Sequence, residues 1–116
     1  MSEMHVAVHE EETGIRVALQ GELDISSAER VEQALRGIEE KSPPMMVLDL
    51  RPLRFIDSTG LRLVLGADLR ARRAGRRLVI VRGPDPVHRV FRIALLDRRL
   101  EFVNDPSSME GDGGRD

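Results

Sequence analysis

A carboxylate and two hydroxyls stand side by side in Asp57-Ser58-Thr59-Gly60. A serine beside an acid can act as a nucleophile, cap a helix or accept a phosphate. A nucleophile needs a base and an oxyanion site. The three histidines are His5, His9 and His88. The first two lie near the N-terminus, and nothing in the sequence places His88 beside Ser58. No Gly-x-Ser-x-Gly elbow occurs, so the chain does not read as a hydrolase. The scattered histidines lack metal-ligand spacing. Neither Gly-x-Gly-x-x-Gly nor a P-loop is present, so any nucleotide belongs to another protein. No catalytic residue, metal or cofactor is expected. Asp57 and Ser58 are both good N-cap residues. Gly60 falls in the first turn, where it costs up to ~1 kcal/mol against Ala. A glycine tolerated there points to a close approach by another backbone or a partner. Local chemistry leaves two readings open: an ordinary helix cap, and a phosphorylation switch at Ser58.

The elements that must position this segment follow from periodicity. His5 to Val8 predicts a short strand. Ile15, Val17 and Leu19 alternate with Arg16, Ala18 and Gln20, the pattern of a strand with one buried face. Gly14 suits a hairpin between the two runs. Ser26 precedes Glu29 by three, a capping-box spacing. Ala28, Val31, Leu35 and Ile38 then recur at helical spacing, predicting a helix over 27–41 that Ser42-Pro43-Pro44 stops. Met45 to Leu50 is apolar except at Asp49, as in a strand buried on both faces. A short loop leads into a second helix over 58–74, ended by Gly75. Arg77 to Val81 predicts a strand, Pro84-Asp85-Pro86 opens a third helix, and Leu100 to Val103 makes a last strand. Strands joined through helices imply an α/β fold: a mixed, mostly parallel sheet of 4–5 strands with helices packed on it.

On the second helix, Leu61, Leu63, Val64, Ala67, Ala71 and Ala74 share one broad side. Leu65 and Leu69 project off it. That pattern fits a wide buried stripe, and it fits an apolar ridge beside Ser58 that a partner covers. Gly66 on the outer side would allow close approach.

Totals set limits on function. A chain of 116 residues with 41% hydrophobic residues suits one domain. Aromatics are 3%, with no Trp or Tyr, which argues against single-stranded nucleic-acid binding through stacking. The net charge is -2, too small for a field that draws in DNA or a membrane surface. The basic stretch Arg70 to Arg77 lies at a helix end, where cations suit the dipole. No cysteine is present, so disulfides are excluded. Met1 to Glu12 has no signal-peptide core, and the apolar run Pro43 to Leu48 is too short to span a bilayer. A cytoplasmic protein is expected.

The wider frame carries a resemblance. Gly21-Glu22-Leu23-Asp24, a helix, Leu48-Asp49-Leu50 and then Phe55-Ile56-Asp57-Ser58-Thr59-Gly60-Leu61 resemble the STAS domain, and within it the bacterial anti-sigma-factor antagonists. The resemblance covers roughly residues 5–104. It implies a STAS domain over 1–104; the tail over 105–116, acidic, Gly-rich and without apolar periodicity, is expected to be disordered. Relatives usually end in a further amphipathic helix, for which this tail lacks apolar residues. The resemblance also implies a partner that is both anti-sigma factor and serine kinase. The antagonist sequesters that partner and frees a sigma factor for transcription. The kinase phosphorylates Ser58 and a phosphatase restores it. Asp24 lies near the switch and Asp57 orients it, so the expected partner-binding set is Asp24, Asp57, Ser58, Thr59, Gly60, Leu61, Leu65 and Leu69. Such an antagonist runs as a monomer or weak homodimer. The alternative on the same fold is a scaffold subunit of a stress-signalling assembly, which forms stable oligomers.

Overall fold

The computed structural model describes residues 3–105. Residues 106–116, most of the expected disordered tail, lie outside the described residues. The chain opens with a hairpin, β1 (Met4–Glu11) and β2 (Gly14–Leu23), paired antiparallel from Met4 opposite Gly21 to Glu11 opposite Gly14. Then follow α1 (Ala28–Glu39), β3 (Met45–Asp49), β4 (Leu53–Ile56), α2 (Ser58–Arg73), β5 (Arg77–Val81), α3 (Asp85–Ile93) and β6 (Phe102–Val103). The sheet order is β1-β2-β3-β5-β6, and β4 pairs with the far end of β2. Every pairing after the hairpin is parallel.

Strand alternation decides which side the helices cover. Ile15, Val17 and Leu19 of β2, Met46 and Leu48 of β3, and Leu78 and Ile80 of β5 share one face. They form a single core cluster with Val31, Leu35 and Ile38 of α1, Leu63, Val64 and Ala67 of α2, and Val87 and Phe91 of α3. Val47 and Val79 point to the opposite face and are also buried. This explains why β3 and β5 read as continuous apolar runs.

Four sequence expectations are corrected. Leu53–Ile56 was expected as a loop but is a strand, which raises the sheet to six strands. It buries Leu53 and Ile56 and exposes the two residues between them, so it shows no period of two. The capping box is not formed. The Ser26 hydroxyl donates to Asp24 Oδ1 at 2.6 Å, and the helix is entered through Ser27. Ser27 caps nothing with its side chain; its hydroxyl donates to the Glu22 carbonyl at 2.7 Å. Ala74 is exposed rather than part of the buried stripe. The basic cluster is not only a dipole feature, because Arg70 reaches across to α1. It donates to both Glu39 carboxylate oxygens at 2.7 and 2.9 Å and to Glu32 at 3.1 Å, tying α2 to α1. Gly66 lies under this bridge, with Arg70 Nη1 3.5 Å from where a Cβ would be. Gly75 ends α2 as expected. It has φ +71, and the Arg76 N–H bonds back to the Ala71 carbonyl at 2.8 Å.

His88 is buried on the inner side of α3. Its ring meets Phe102 edge-on at 4.8 Å and lies 6.3 Å from Phe91. Its Nδ1 has no hydrogen-bond partner among the described residues. Burial lowers its pKa below the ordinary 6.5, the charges of Arg82 and Arg92 lower it further, and Asp97 and Asp85 oppose them. The folded state thus binds this proton less well than the unfolded chain. Its contribution is complete above about pH 6.5 and declines as the pH falls below that value. Denaturant titrations between pH 8 and 5 should show stability falling on the acid side, with the slope reduced in His88→Phe. An unchanged slope in that variant would remove His88 as its source.

Candidate functional site

β4 exists to deliver Asp57. Asp49, at the end of β3, is buried and turns the chain into β4. Its Oδ1 accepts from the Arg51 backbone N–H at 3.1 Å, and its carboxylate binds the Arg51 guanidinium at 3.0 and 2.7 Å. Arg16 of β2 lies 3.8 Å away. Burial alone would raise this carboxyl. The Arg51 bonds and the charges of Arg51 and Arg16 outweigh that effect and hold its pKa below the ordinary carboxylate value. The Asp49 of Leu48-Asp49-Leu50 is therefore a corner brace.

From that corner, β4 runs beside the end of β2, pairing Glu22 with Phe55 and Leu23 with Ile56. The register shifts at Gly21, where β2 bends. Gly21 has φ +120, and a Cβ there would sit 2.0 Å from the Glu3 carbonyl oxygen, so only glycine fits. The Asp57 N–H donates to the Leu23 carbonyl at 3.2 Å. Its side chain then caps α2, Oδ1 accepting from the Gly60 N–H at 3.0 Å. Because Asp57 performs the cap, the Ser58 hydroxyl is left out of capping. Ser58 is the first residue of α2 and is exposed, while Asp57 and Thr59 are half-buried.

The close approach expected at Gly60 is internal. Gly60 is buried, and a Cβ there would lie 2.7 Å from Ile56 Cγ1, 2.8 Å from the Leu23 carbonyl oxygen and 2.9 Å from Leu23 Cγ. The N-terminus of α2 thus rests directly on the ends of β2 and β4. Asp24, the next residue after β2, is drawn to the same end of the sheet. It folds the entry to α1 by accepting from the Ser26 N–H at 3.0 Å and from its hydroxyl. The Ser26 hydroxyl bond is the main reason that the Asp24 pKa is lowered.

Leu61 and Leu65 are half-buried and pack on the core, so only part of each reaches the surface. Leu69 remains 47% exposed, two turns further along. Two apolar residues escaped the sequence reading. Ile25 is 80% exposed beside Asp24, and Phe55 is 48% exposed on β4. A lone apolar residue between Asp24 and Ser26 was the available signal for the first. A shallow groove of ≈ 310 Å³ opens beside Ser58, lined by Ala28, Glu29, Glu32, Thr59, Arg62 and Leu63. Among the described residues, no cluster of His, Asp and Glu could hold a metal. No helix among them is long and apolar enough to cross a membrane.

The tight seat of Gly60 has a measurable consequence. Gly60→Ala should cost about 1–3 kcal/mol, because the new methyl meets backbone as well as side chains. Urea unfolding measures this, and a neutral or stabilised variant would contradict the packing.

Residues 6–104 match the family profile described as Mlab, STAS domain. The anti-sigma-B factor antagonist of Listeria monocytogenes is 31% identical over 97 residues, covering 84% of this chain and 85% of that protein. An anti-sigma factor antagonist from Mycobacterium paratuberculosis has the same fold, with a TM-score of 0.81 at 21% identity, covering 91% of this chain and 90% of that one. So does the anti-sigma factor antagonist SpoIIAA in its unphosphorylated form, with a TM-score of 0.78 at 18% identity and coverages of 97% and 99%. The profile match across nearly the whole described chain and the identity to the Listeria protein show that the chain belongs to the STAS domain family.

Proposed function

We propose that this protein is an anti-sigma-factor antagonist switched off by phosphorylation of Ser58. It binds an anti-sigma factor that is also a serine kinase, and in doing so releases a sigma factor for transcription. The kinase phosphorylates Ser58 and a phosphatase reverses the modification. The protein works in the cytoplasm, as a monomer or weak homodimer. The observation that carries this reading is the division of labour at the start of α2. Asp57 makes the cap bond, and Ser58 stands exposed beside it. The likeness to named antagonists supports it. Asp24, Asp57, Thr59, Leu61, Leu65 and Leu69 complete the partner face, with Ile25 beside Asp24 as an added apolar contact; Gly60, expected there from the sequence, is buried and instead seats α2 on the sheet.

The physics places the effect of the phosphate at the interface. Phosphorylation adds about -1.5 to -2 charges. A helix N-terminus stabilises an anion by ~0.3–1 kcal/mol, so the isolated domain tolerates it. Against a partner, the dianion loses hydration and meets apolar or acidic surface. A loss of ~3 kcal/mol there weakens binding by about two orders of magnitude.

Incubation with candidate kinases and ATP, followed by phosphosite mapping, should place the phosphate on Ser58, with labelling abolished in Ser58→Ala. Phosphate found only outside residues 57–60 and unaffected by that substitution would sink the proposal. Ser58→Glu should weaken kinase binding by about tenfold or more while leaving the melting temperature nearly unchanged. A large fall in melting temperature would instead assign the hydroxyl a structural role.

A further inference from the structure

Arg62 stands four residues after Ser58 in α2, and both side chains are exposed. Residues at this spacing share one helix face, with Cβ atoms about 5–6 Å apart. The acid-first order is the more favourable one for an ion pair. The Arg62 guanidinium is already turned back toward the helix start, with Nη2 3.5 Å from Thr59 Oγ1. Among the described residues, no carboxylate lies within salt-bridge distance of it. Across the groove, Glu32 is bound by Arg36 and Arg70 instead. Arg62 is therefore a cation held near Ser58 with its bidentate face uncommitted.

We propose that Arg62 is the intramolecular counter-ion of the phosphate on Ser58. The inference rests on the reading of Ser58 as the modified residue. Asp24 and Asp57, and Glu29 and Glu32 lining the groove, would repel a phosphate. Arg62 is the cation one turn away on the same face of α2, and a guanidinium can bind two phosphate oxygens at once. The pair turns the phosphate down along α2, away from Asp24 and Asp57. It also draws Arg62 away from the groove that it lines. Phosphorylation then changes two exposed side chains at the start of α2 rather than one.

The test uses full-length protein with phosphoserine built in at position 58 during translation. It therefore does not depend on finding the kinase. The second phosphate pKa is followed by phosphorus NMR in the wild-type, Arg62→Gln and Arg62→Lys backgrounds. Arg62→Gln should titrate about 0.3 unit higher than wild type, the equivalent of one surface ion pair. Arg62→Lys should retain most of the wild-type value. In about 1 M salt the difference between wild type and Arg62→Gln should collapse. Equal pKa values for wild type and Arg62→Gln at low salt would overturn the proposal. Failure of every kinase to label Ser58 would undo the function proposed above while leaving this measurement to stand by itself.

Discussion

At Gly60, α2 comes so close to the sheet that a single methyl group would collide with Ile56 and with the backbone of Leu23. This contact fixes where the helix begins. It sets Asp57 against the end of β2, where its N–H meets the Leu23 carbonyl and its carboxylate caps the Gly60 N–H. With the cap supplied from inside, the next residue must face outward. The exposure of Ser58 is thus a consequence of packing behind it. The glycine that weakens the helix by propensity is the residue that allows the helix to be seated at all.

The same end of the sheet depends on a polar corner. Asp49 is buried on the face away from the helices, and Arg51 and Arg16 neutralise it there. A carboxylate in that position is tolerated only with its cations, because an unpaired buried charge costs several kcal/mol. Asp49 braces the turn from β3 to β4, and β4 leads into Asp57. The two short motifs that frame the site, Gly21 to Asp24 and Phe55 to Leu61, are therefore mechanically linked. One bends β2, the other runs along the bent end, and they share the Leu23–Ile56 pairing.

Periodicity made most of this legible in the sequence. The alternation in β2, the apolar runs of β3 and β5, and the helical spacing of Val31, Leu35 and Ile38 each reflect a single dominant burial direction. What stayed hidden had no such direction. β4 buries only its two ends, so neither a period of two nor an apolar run marks it. Ser26 and Glu29 had the spacing of a capping box, but Asp24 competes for the Ser26 hydroxyl and wins. At the site, the residue types suggested a cap or a switch without choosing. The three-dimensional structure gives the cap to Asp57 and leaves the Ser58 hydroxyl exposed. The tie from Arg70 to α1 spans 31 residues to Glu39, and nothing local announces it.

Ser58, exposed at the start of α2 and outside the core cluster, is where a modification would meet a partner before it met the core. On the proposed function, phosphorylation of Ser58 changes binding and leaves the fold in place. The most direct test is a calorimetric titration of the partner kinase with unmodified and phosphorylated protein, paired with amide NMR spectra of the two free forms. Affinity should fall by about two orders of magnitude, with spectral changes confined to residues around the start of α2 and the end of β2. Equal affinities, or changes spread through the core strands β3 and β5, would contradict the proposed function.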